Sequence, residues 1–394
     1  MLTIQNLNLD RDSLFIRCDF NVPLDEFGNI LDDRRIRETL PTIRYALDHH
    51  CKIILASHLG RPKEIDPALS LLPVAKRLGR LLEKEIEFSH DVVGEETRQK
   101  AAALQNGEIL LIENLRFDPG ETANDEAFAK KLADLAEFYV NDAFGVSHRA
   151  HASVEAITHF FDRAHKGAGF LLQKEVSFFH TLLENPAHPF ALVVGGSKVS
   201  SKLELLQHLI PRVDKLLIGG GMAFTFLHAM GYETGDSIVE TDLIPASLEL
   251  IKQAKAHGVK IFLPVDLIVT EAIRQDAKSR IVTAQDIPPG WMGVDIGPAT
   301  VTLFEEALEE SKTLLWNGPM GVFEIDKFAQ GSFALARYVA TLHATKIIGG
   351  GDTGEMIHKA GVLEKMTFVS TGGGASLALL AGKKLPGIEA LSDA

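Results

Sequence analysis

The chain has 394 residues, 46% hydrophobic and 24% charged, a length that calls for two domains rather than one core. Its 40 basic and 53 acidic residues leave a net charge of −13, which argues against nucleic acid as the main partner but allows a local basic pocket for a small anion. The two cysteines, Cys18 and Cys51, lie in apolar strand-like runs and read as small buried thiols rather than a disulfide pair.

The first residues, MLTIQNLNLDRD, carry no basic-then-apolar signal pattern, so a cytoplasmic location is expected. LFIRCDF (Leu14 to Phe20) reads as a strand, and RRIRETLPTIRYALDHH after it has helical spacing at Ile36, Leu40, Ile43 and Leu47. KIILAS (Lys52 to Ser57) precedes a loop and the helical stretch LSLLPVAKRLGRLLEKE. EILLIEN (Glu108 to Asn114) and FYVNDAF (Phe138 to Phe144) repeat the plan. Next comes GAGFLLQKEVSFFHTLLENPAHP (Gly167 to Pro189), with a predicted stripe of Phe170, Leu171, Lys174, Phe178, Leu182 and Leu183 and two prolines at its end. It reads as a helix linking two lobes.

Six stretches of the second half share an apolar run that breaks into glycine or a polar, phosphate-compatible residue: ALVVGGSKVSSK from Ala191, KLLIGGGMAF from Lys215, IFLPVD from Ile261, LLWNGPMGVFE from Leu314, KIIGGGDTGE from Lys346 and TFVSTGGGAS from Thr367. Each predicts a buried strand, most with a helix behind it. Glycine lets backbone N–H groups approach an anion, and a following helix N-terminus adds partial positive charge. The uncharged run Leu216 to Tyr232 is too short and too glycine-rich to span a membrane. The expected fold is α/β, with two Rossmann-like lobes, each a parallel sheet flanked by helices, joined by an interdomain helix with a hinge. The boundaries expected are 1–166, 167–189 for the linker and 190–378.

Ligands of open α/β sheets bind beyond the carboxyl ends of the strands. In the first half those ends carry Asp19, Asn21 and the loop to Arg35, then His58 and Arg61, then Arg116, then His148, Arg149 and His151. Arginine forks match phosphate and carboxylate, so this edge predicts a pocket for a small, multiply negative molecule. In the second half Lys198 and Lys202 follow Gly195, and a helix over VSSKLELLQHLI would set both on one face. Asp352, with Thr353 beside it, suits Mg²⁺ shared with phosphate oxygens; Glu324 suits ribose hydroxyls; Gly372, Gly373 and Gly374 offer bare amides.

Other chemistries lack their signatures. Gly349, Gly351 and Gly354 fit G-x-G-x-x-G, but no acidic residue ends the next strand for a dinucleotide ribose. There is no G-x-x-x-x-G-K-[ST], no protein-kinase motif set around DAFG, no G-x-S-x-G and no H-E-x-x-H.

RCDFNVPL, DDRRIRETLPTI, SHLGRPK, ENLRF, NDAFGVSHRAHAS, VVGGSKVSSKLELL, IGGGMAFTF, PVD, DIGP, WNGPMGVFE, IGGGDT and STGGGASL occur in that order, and together they resemble phosphoglycerate kinases over essentially the whole chain. The resemblance implies a two-lobed enzyme moving a phosphoryl group reversibly between 1,3-bisphosphoglycerate and ADP, giving 3-phosphoglycerate and ATP. It implies that Asp19, Asn21, Arg35, His58, Leu59, Gly60, Arg61, Arg116 and Arg149 hold the phosphoglycerate, with His151 beside the match. Lys202, Gly219, Gly220, Asn317, Glu324, Gly350, Gly351, Asp352 and Thr353 would hold the nucleotide, with Asp352 on Mg²⁺. Arg35, Lys198, Gly373 and Gly374 would serve the transferring group. It also implies a monomer, and a C-terminal segment (379–394) that returns to the first lobe. Arg34 stands next to the matched Arg35.

The residues read by themselves agree with such a reaction. A carboxylate acceptor is already ionised at neutral pH, and no base stands beside the phosphate loops. Positioning and charge neutralisation are what remain. Two other classes compete: a different small-molecule kinase, opposed by the four arginines, and a silent nucleotide-binding scaffold, opposed by the presence of Lys198, Asp352 and Arg35.

Overall fold

The computed structural model describes residues 1–392; Asp393 and Ala394, the end of the C-terminal segment, lie outside the described residues. The chain forms two compact units, one of residues 1–178 with 384–394, the other of residues 179–383.

In the first unit six strands make one parallel sheet: β1 (Ser13–Arg17), β2 (Lys52–Ala56), β3 (Glu87–Phe88), β4 (Ile109–Leu111), β5 (Phe138–Asn141) and β6 (Lys166–Ala168), in the order β3-β4-β2-β1-β5-β6. The helices are α1 (Arg34–Asp48), α2 (Leu72–Leu82), α3 (Glu95–Ala103), α4 (Pro119–Ala123) and α5 (Glu126–Ala133). Central β1 pairs with β2 from Ser13↔Lys52 to Arg17↔Ala56 and with β5 from Leu14↔Phe138. Leu14, Phe15 and Ile16 are all fully buried. Helices cover both faces of the sheet, which is why its strands read as continuous apolar runs rather than alternating ones.

Helix α6 (Phe170–Glu184) contains the unit boundary. Its first turn is fixed by a strand-end carboxylate: Asp142 Oδ1 accepts the amides of Leu171 (2.8 Å) and Leu172 (3.1 Å). A Cβ on Gly169 would stand 2.3 Å from that oxygen, so the approach needs glycine. The buried face differs from the predicted stripe. Leu171, Leu172, Phe179 and Leu182 are buried, whereas Lys174 is exposed and pairs with Glu38 at 3.0 Å.

The second unit has a second parallel sheet: β7 (Phe190–Val194), β8 (Lys215–Ile218), β9 (Lys260–Phe262), then β13 (Thr313–Asn317), β14 (Thr345–Gly349) and β15 (Phe368–Val369), in the order β15-β14-β13-β7-β8-β9. Three successive strands run one way from β7 and three run the other way. That is the doubly wound order, with its switch point between β7 and β13. The helices are α7 (Leu203–Leu209), α8 (Met222–Ala229), α9 (Ile244–Ala256), α10 (Pro298–Leu308), α11 (Gln330–Thr341), α12 (Gly351–Lys359) and α13 (Gly373–Leu380).

Between β9 and α10 lies a sheet the sequence reading did not foresee: β10 (Asp266–Thr270), β11 (Ser279–Thr283) and β12 (Met292–Ile296), antiparallel in the order β11-β10-β12. IFLPVD therefore does not lead into a helix; β9 stops at Phe262 and Asp266 opens the new sheet. After α13 the chain leaves the second unit at Lys383, and α14 (Pro386–Glu389) belongs to the first. There Asn141 Nδ2 donates to Gly387 O at 3.1 Å and Gly387 N to Ser147 O at 3.0 Å. Both cysteines are buried and free. Among the described residues no helix is long and apolar enough to cross a membrane.

Candidate active site

The carboxyl ends of β1, β2, β4 and β5 gather one basic cluster in the first unit. Asp19, just past β1, is buried and pairs with Arg35 Nη1 in the first turn of α1 at 2.5 Å. The neighbouring Arg34 instead faces Asp32 at 3.9 Å, so Arg35 is the arginine of this cluster. Asn21 Oδ1 accepts Gly60 N (2.8 Å), and Arg116 Nη1 donates to Gly60 O (2.5 Å), which fixes the loop after β2 from both sides. Leu59 is buried, and its N–H donates to Asn114 Oδ1 at 3.2 Å. Arg149 Nε donates to His148 Nε2 at 3.2 Å. Arg61 is exposed and makes no hydrogen bond or ion pair among the described residues.

Beneath this cluster lies a layer that sequence reasoning missed. Arg17, inside β1, is fully buried. Its Nε donates to Ser153 Oγ (2.7 Å), and that hydroxyl donates to Glu121 Oε1 (2.7 Å). Glu121 is also fully buried, 3.6 Å from Arg17 Nη2, and accepts Ser153 N–H at 2.9 Å. Arg17 Nη2 lies 3.4 Å from His58 Nδ1; a guanidinium only donates, so His58 is neutral with its proton on Nε2. Burial, then the charges of Arg17, Arg116 and Arg35, hold the His58 imidazolium well below its ordinary range. Burial, then the charges of Arg17, Arg116 and Arg149, takes His151 down to about 4. Arg116 itself falls to about 10, from burial and then repulsion by Arg17 and Arg149. Four guanidiniums face two carboxylates here, Asp19 and Glu121, so the cluster keeps an excess of positive charge. An arginine in the middle of LFIRCDF reads as a strand residue, and its partner Glu121 lies far along the chain, so no local signal marks either.

In the second unit the switch point makes the crevice. Gly195 N donates to Asn317 O (3.0 Å) and Gly196 N to Pro319 O (2.8 Å), drawing the loops after β7 and β13 together. Gly318 has φ +96, and a Cβ there would meet Gly195 O at 2.3 Å. Gly219 and Gly220 pack against the same loop, where a Cβ would strike Met320 Sδ and Gly196 N respectively. Asn317 is buried, donates to Gly349 O (2.8 Å) and accepts from Lys202 Nζ. Burial lowers Lys202 to about 8, against the charge of Asp352. Thr353 Oγ1 accepts Gly318 N–H (2.7 Å) and donates to Gly349 O (2.9 Å), so its hydroxyl pins two loops and only its backbone is left for a ligand. Gly350 caps α12 at φ +99, with Gly351 and Asp352 exposed in the first turn. Gly373 opens α13, and a Cβ on it would lie 3.2 Å from Gly351 N, so the two helix N-termini adjoin.

Lys198 is exposed in the loop before α7. The predicted shared helical face of Lys198 and Lys202 does not form. Val199 to Lys202 make a turn and α7 starts at Leu203, because serines favour turns and caps over helix interiors. A cleft of about 310 Å³ opens on this side, lined by Gly220, Glu324 and Asp352 at its polar end. Leu267, Met292 and Val294 of the antiparallel sheet and Phe224 of α8 form its apolar wall, which was also missed. Gly293 is obligatory there, since a Cβ would sit 2.0 Å from Phe224 Cζ. Among the described residues no three His, Cys, Asp or Glu side chains group as a metal cage.

A family model described as phosphoglycerate kinase matches residues 4–383. The chain is 64% identical over 390 residues to the phosphoglycerate kinase of Nitratiruptor sp., covering 99% of this chain and 98% of that protein. It is 59% identical over 391 residues to the phosphoglycerate kinase of Campylobacter jejuni, with 99% and 98% covered. Its fold superposes on the structure of the Coxiella burnetii phosphoglycerate kinase with TM-score 0.86 at 40% identity, covering 99% and 98% of the two chains. Against the enzyme of Pyrococcus horikoshii the TM-score is 0.88 at 30% identity, covering 100% and 98%. With a guanidinium-lined strand edge in one unit, an amide-lined crevice in the other and this likeness over nearly its whole length, the chain belongs to the phosphoglycerate kinase family.

Proposed function

We infer that this chain transfers a phosphoryl group between 1,3-bisphosphoglycerate and ADP, reversibly, giving 3-phosphoglycerate and ATP. The first unit, with the C-terminal segment, takes the phosphoglycerate; the second takes the nucleotide; residues 167–189 bend between them. The observation that carries the reading is the cluster of Arg35, Arg116 and Arg149 over the buried Arg17, whose positive charge exceeds that of the Asp19 and Glu121 carboxylates beside it. Such a site favours a ligand with several negative charges. Asp19 and Asn21 suit its hydroxyl and carboxylate groups, and His58 offers an Nε2 proton. Arg61, free at the rim, closes over the phosphate.

In the crevice, bare amides of Gly373, Gly374 and Gly351 and the charge of Lys202 hold phosphate oxygens, Glu324 takes ribose hydroxyls, and the apolar wall takes the base. Asp352, exposed beside the phosphate loops, fits Mg²⁺, which accepts one carboxylate and keeps phosphate oxygens and waters. When bound, that ion neutralises phosphate charge. The acceptor carboxylate attacks as it stands, and Arg35 and Lys198 flank the migrating phosphoryl group. The proposed working state is a monomer in the cytoplasm. The test is ATP consumption coupled to product removal, with 3-phosphoglycerate, acetate or glycerol as acceptor. Turnover with 3-phosphoglycerate alone is expected; equal rates with acetate, or none with any, would sink the reading.

A further inference from the structure

Glu240 has no part in the site described above, yet it is tied to the turn that carries Lys198. Its backbone N–H donates to Thr225 Oγ1 on α8 at 3.1 Å, which fixes its place beside the crevice. Its carboxylate reaches across: Oε1 accepts Ser200 Oγ at 2.6 Å and Oε2 accepts Ser200 N–H at 3.1 Å. Burial pushes this carboxyl up, but the hydrogen bonds from Ser200 and the Val199 amide, with the charge of Lys198, outweigh it and hold the group ionised.

The turn needs such a tie. Gly195 and Gly196 precede it, and Ser197, Lys198, Ser200 and Ser201 are all exposed; Val199 is its one buried side chain. Lys202 N–H closes the turn on Val199 O at 2.8 Å, and Ser201 Oγ donates to Lys198 O at 2.8 Å. These bonds shape the turn, and Lys202 Nζ on Asn317 Oδ1 holds its far end, but neither fastens the stretch next to Lys198 to the rest of the unit. Glu240 does, through the residues one and two places beyond Lys198, in the manner of a helix cap supplied by another segment.

We propose that Glu240 is a positioning residue for phosphoryl transfer: its carboxylate clamps the Val199–Ser200 turn so that Lys198 meets the transferring group in register. The proposal rests on the role given to Lys198 above. A displacement on the order of 1 Å at a reacting centre can cost about 100-fold in rate. Lys198 contributes to the transition state more than to ground-state binding, so losing the clamp lowers kcat rather than raising KM.

The experiment is a double-mutant cycle on the full chain: Lys198→Ala, Glu240→Ala, both together, and Glu240→Gln, with kcat, the KM of each substrate and Tm for all four. Glu240→Ala is expected to lower kcat about tenfold with both KM values within about threefold. Glu240→Gln keeps an acceptor for the Ser200 hydroxyl and recovers most of that loss. On the Lys198→Ala background, removing Glu240 costs no more than about twofold, because the group it positions is gone. A Glu240→Ala enzyme within twofold of wild type overturns the proposal, as does full additivity in the cycle. So does a kcat loss tracking a fall in Tm that Glu240→Gln shares. If Lys198→Ala itself turns over normally, the role of Lys198 fails instead, so the two failures are told apart.

Discussion

Lys198 and Lys202 carry the same charge in different settings, and the setting decides what each can do. Lys202 is half-buried against Asn317 with its ammonium lowered to about 8; Lys198 is exposed on a clamped turn, free to meet a ligand. Lys198→Ala is expected to lower kcat on the order of 10²–10³-fold while nucleotide still binds, as steady-state kinetics with a nucleotide titration will read. Near-normal turnover would refute the assignment. Burial also gives His151 a signature in stability. Its folded-state value of about 4 lies below the ordinary 6.5, so below pH 6.5 the unfolded chain takes up a proton the native protein refuses. Stability is therefore full above pH 6.5 and falls as pH drops toward 4, by at most about 3 kcal/mol for this group, with His58 acting in the same direction. Urea unfolding at pH 7, 5.5 and 4.5 should show a shallower acid loss in His151→Gln than in wild type; parallel slopes would exclude His151 as a cause.

Among the elements, loop contacts at the switch point bear more of the nucleotide site than any single helix. Gly318 holds φ +96 with backbone of Gly195 where a Cβ would go, whereas Gly361, after α12, has φ +76 and open space around it. Gly318→Ala is expected to cost several kcal/mol and to raise the nucleotide KM, because the added Cβ meets rigid backbone of the loop after β7. Gly361→Ala should cost only about 1 kcal/mol and leave KM alone. Equal effects of the two in urea unfolding and kinetics would count against the crevice as the binding element. The glycine-ended strands were legible because a buried strand leaving glycine at its end is a local pattern. The β10–β12 sheet was not: its strands are as long as β1, but they pair antiparallel with no helix between them, so the strand-then-helix pattern that marked the others is missing. The wall made by Leu267, Met292 and Val294 exists only once they stand beside Phe224. Likewise the stripe predicted for α6 followed spacing, whereas the buried face follows what the helix packs against.

At the scale of the whole molecule, transfer between two anions bound to separate units requires them to come together. Reacting atoms must approach to about 3–3.5 Å with water excluded, so ligand-driven bending at residues 167–189 is expected. Small-angle scattering should give a smaller radius of gyration with both substrates bound than with either alone. An unchanged radius would remove the hinge. By itself the sequence determined that two parallel α/β units form, that one offers arginines and histidines at its strand ends, and that the other offers glycine amides, lysine and aspartate. Those are properties of neighbouring residues, written in spacing and side-chain chemistry. Only the tertiary structure decided the strand order that brings Gly195 against Asn317, and the burial that puts the charged Arg17 under a neutral His58. It alone decided the carboxylate of Glu240 that reaches Ser200. Strand order and dielectric environment depend on groups far apart in the chain, and no local pattern encodes them.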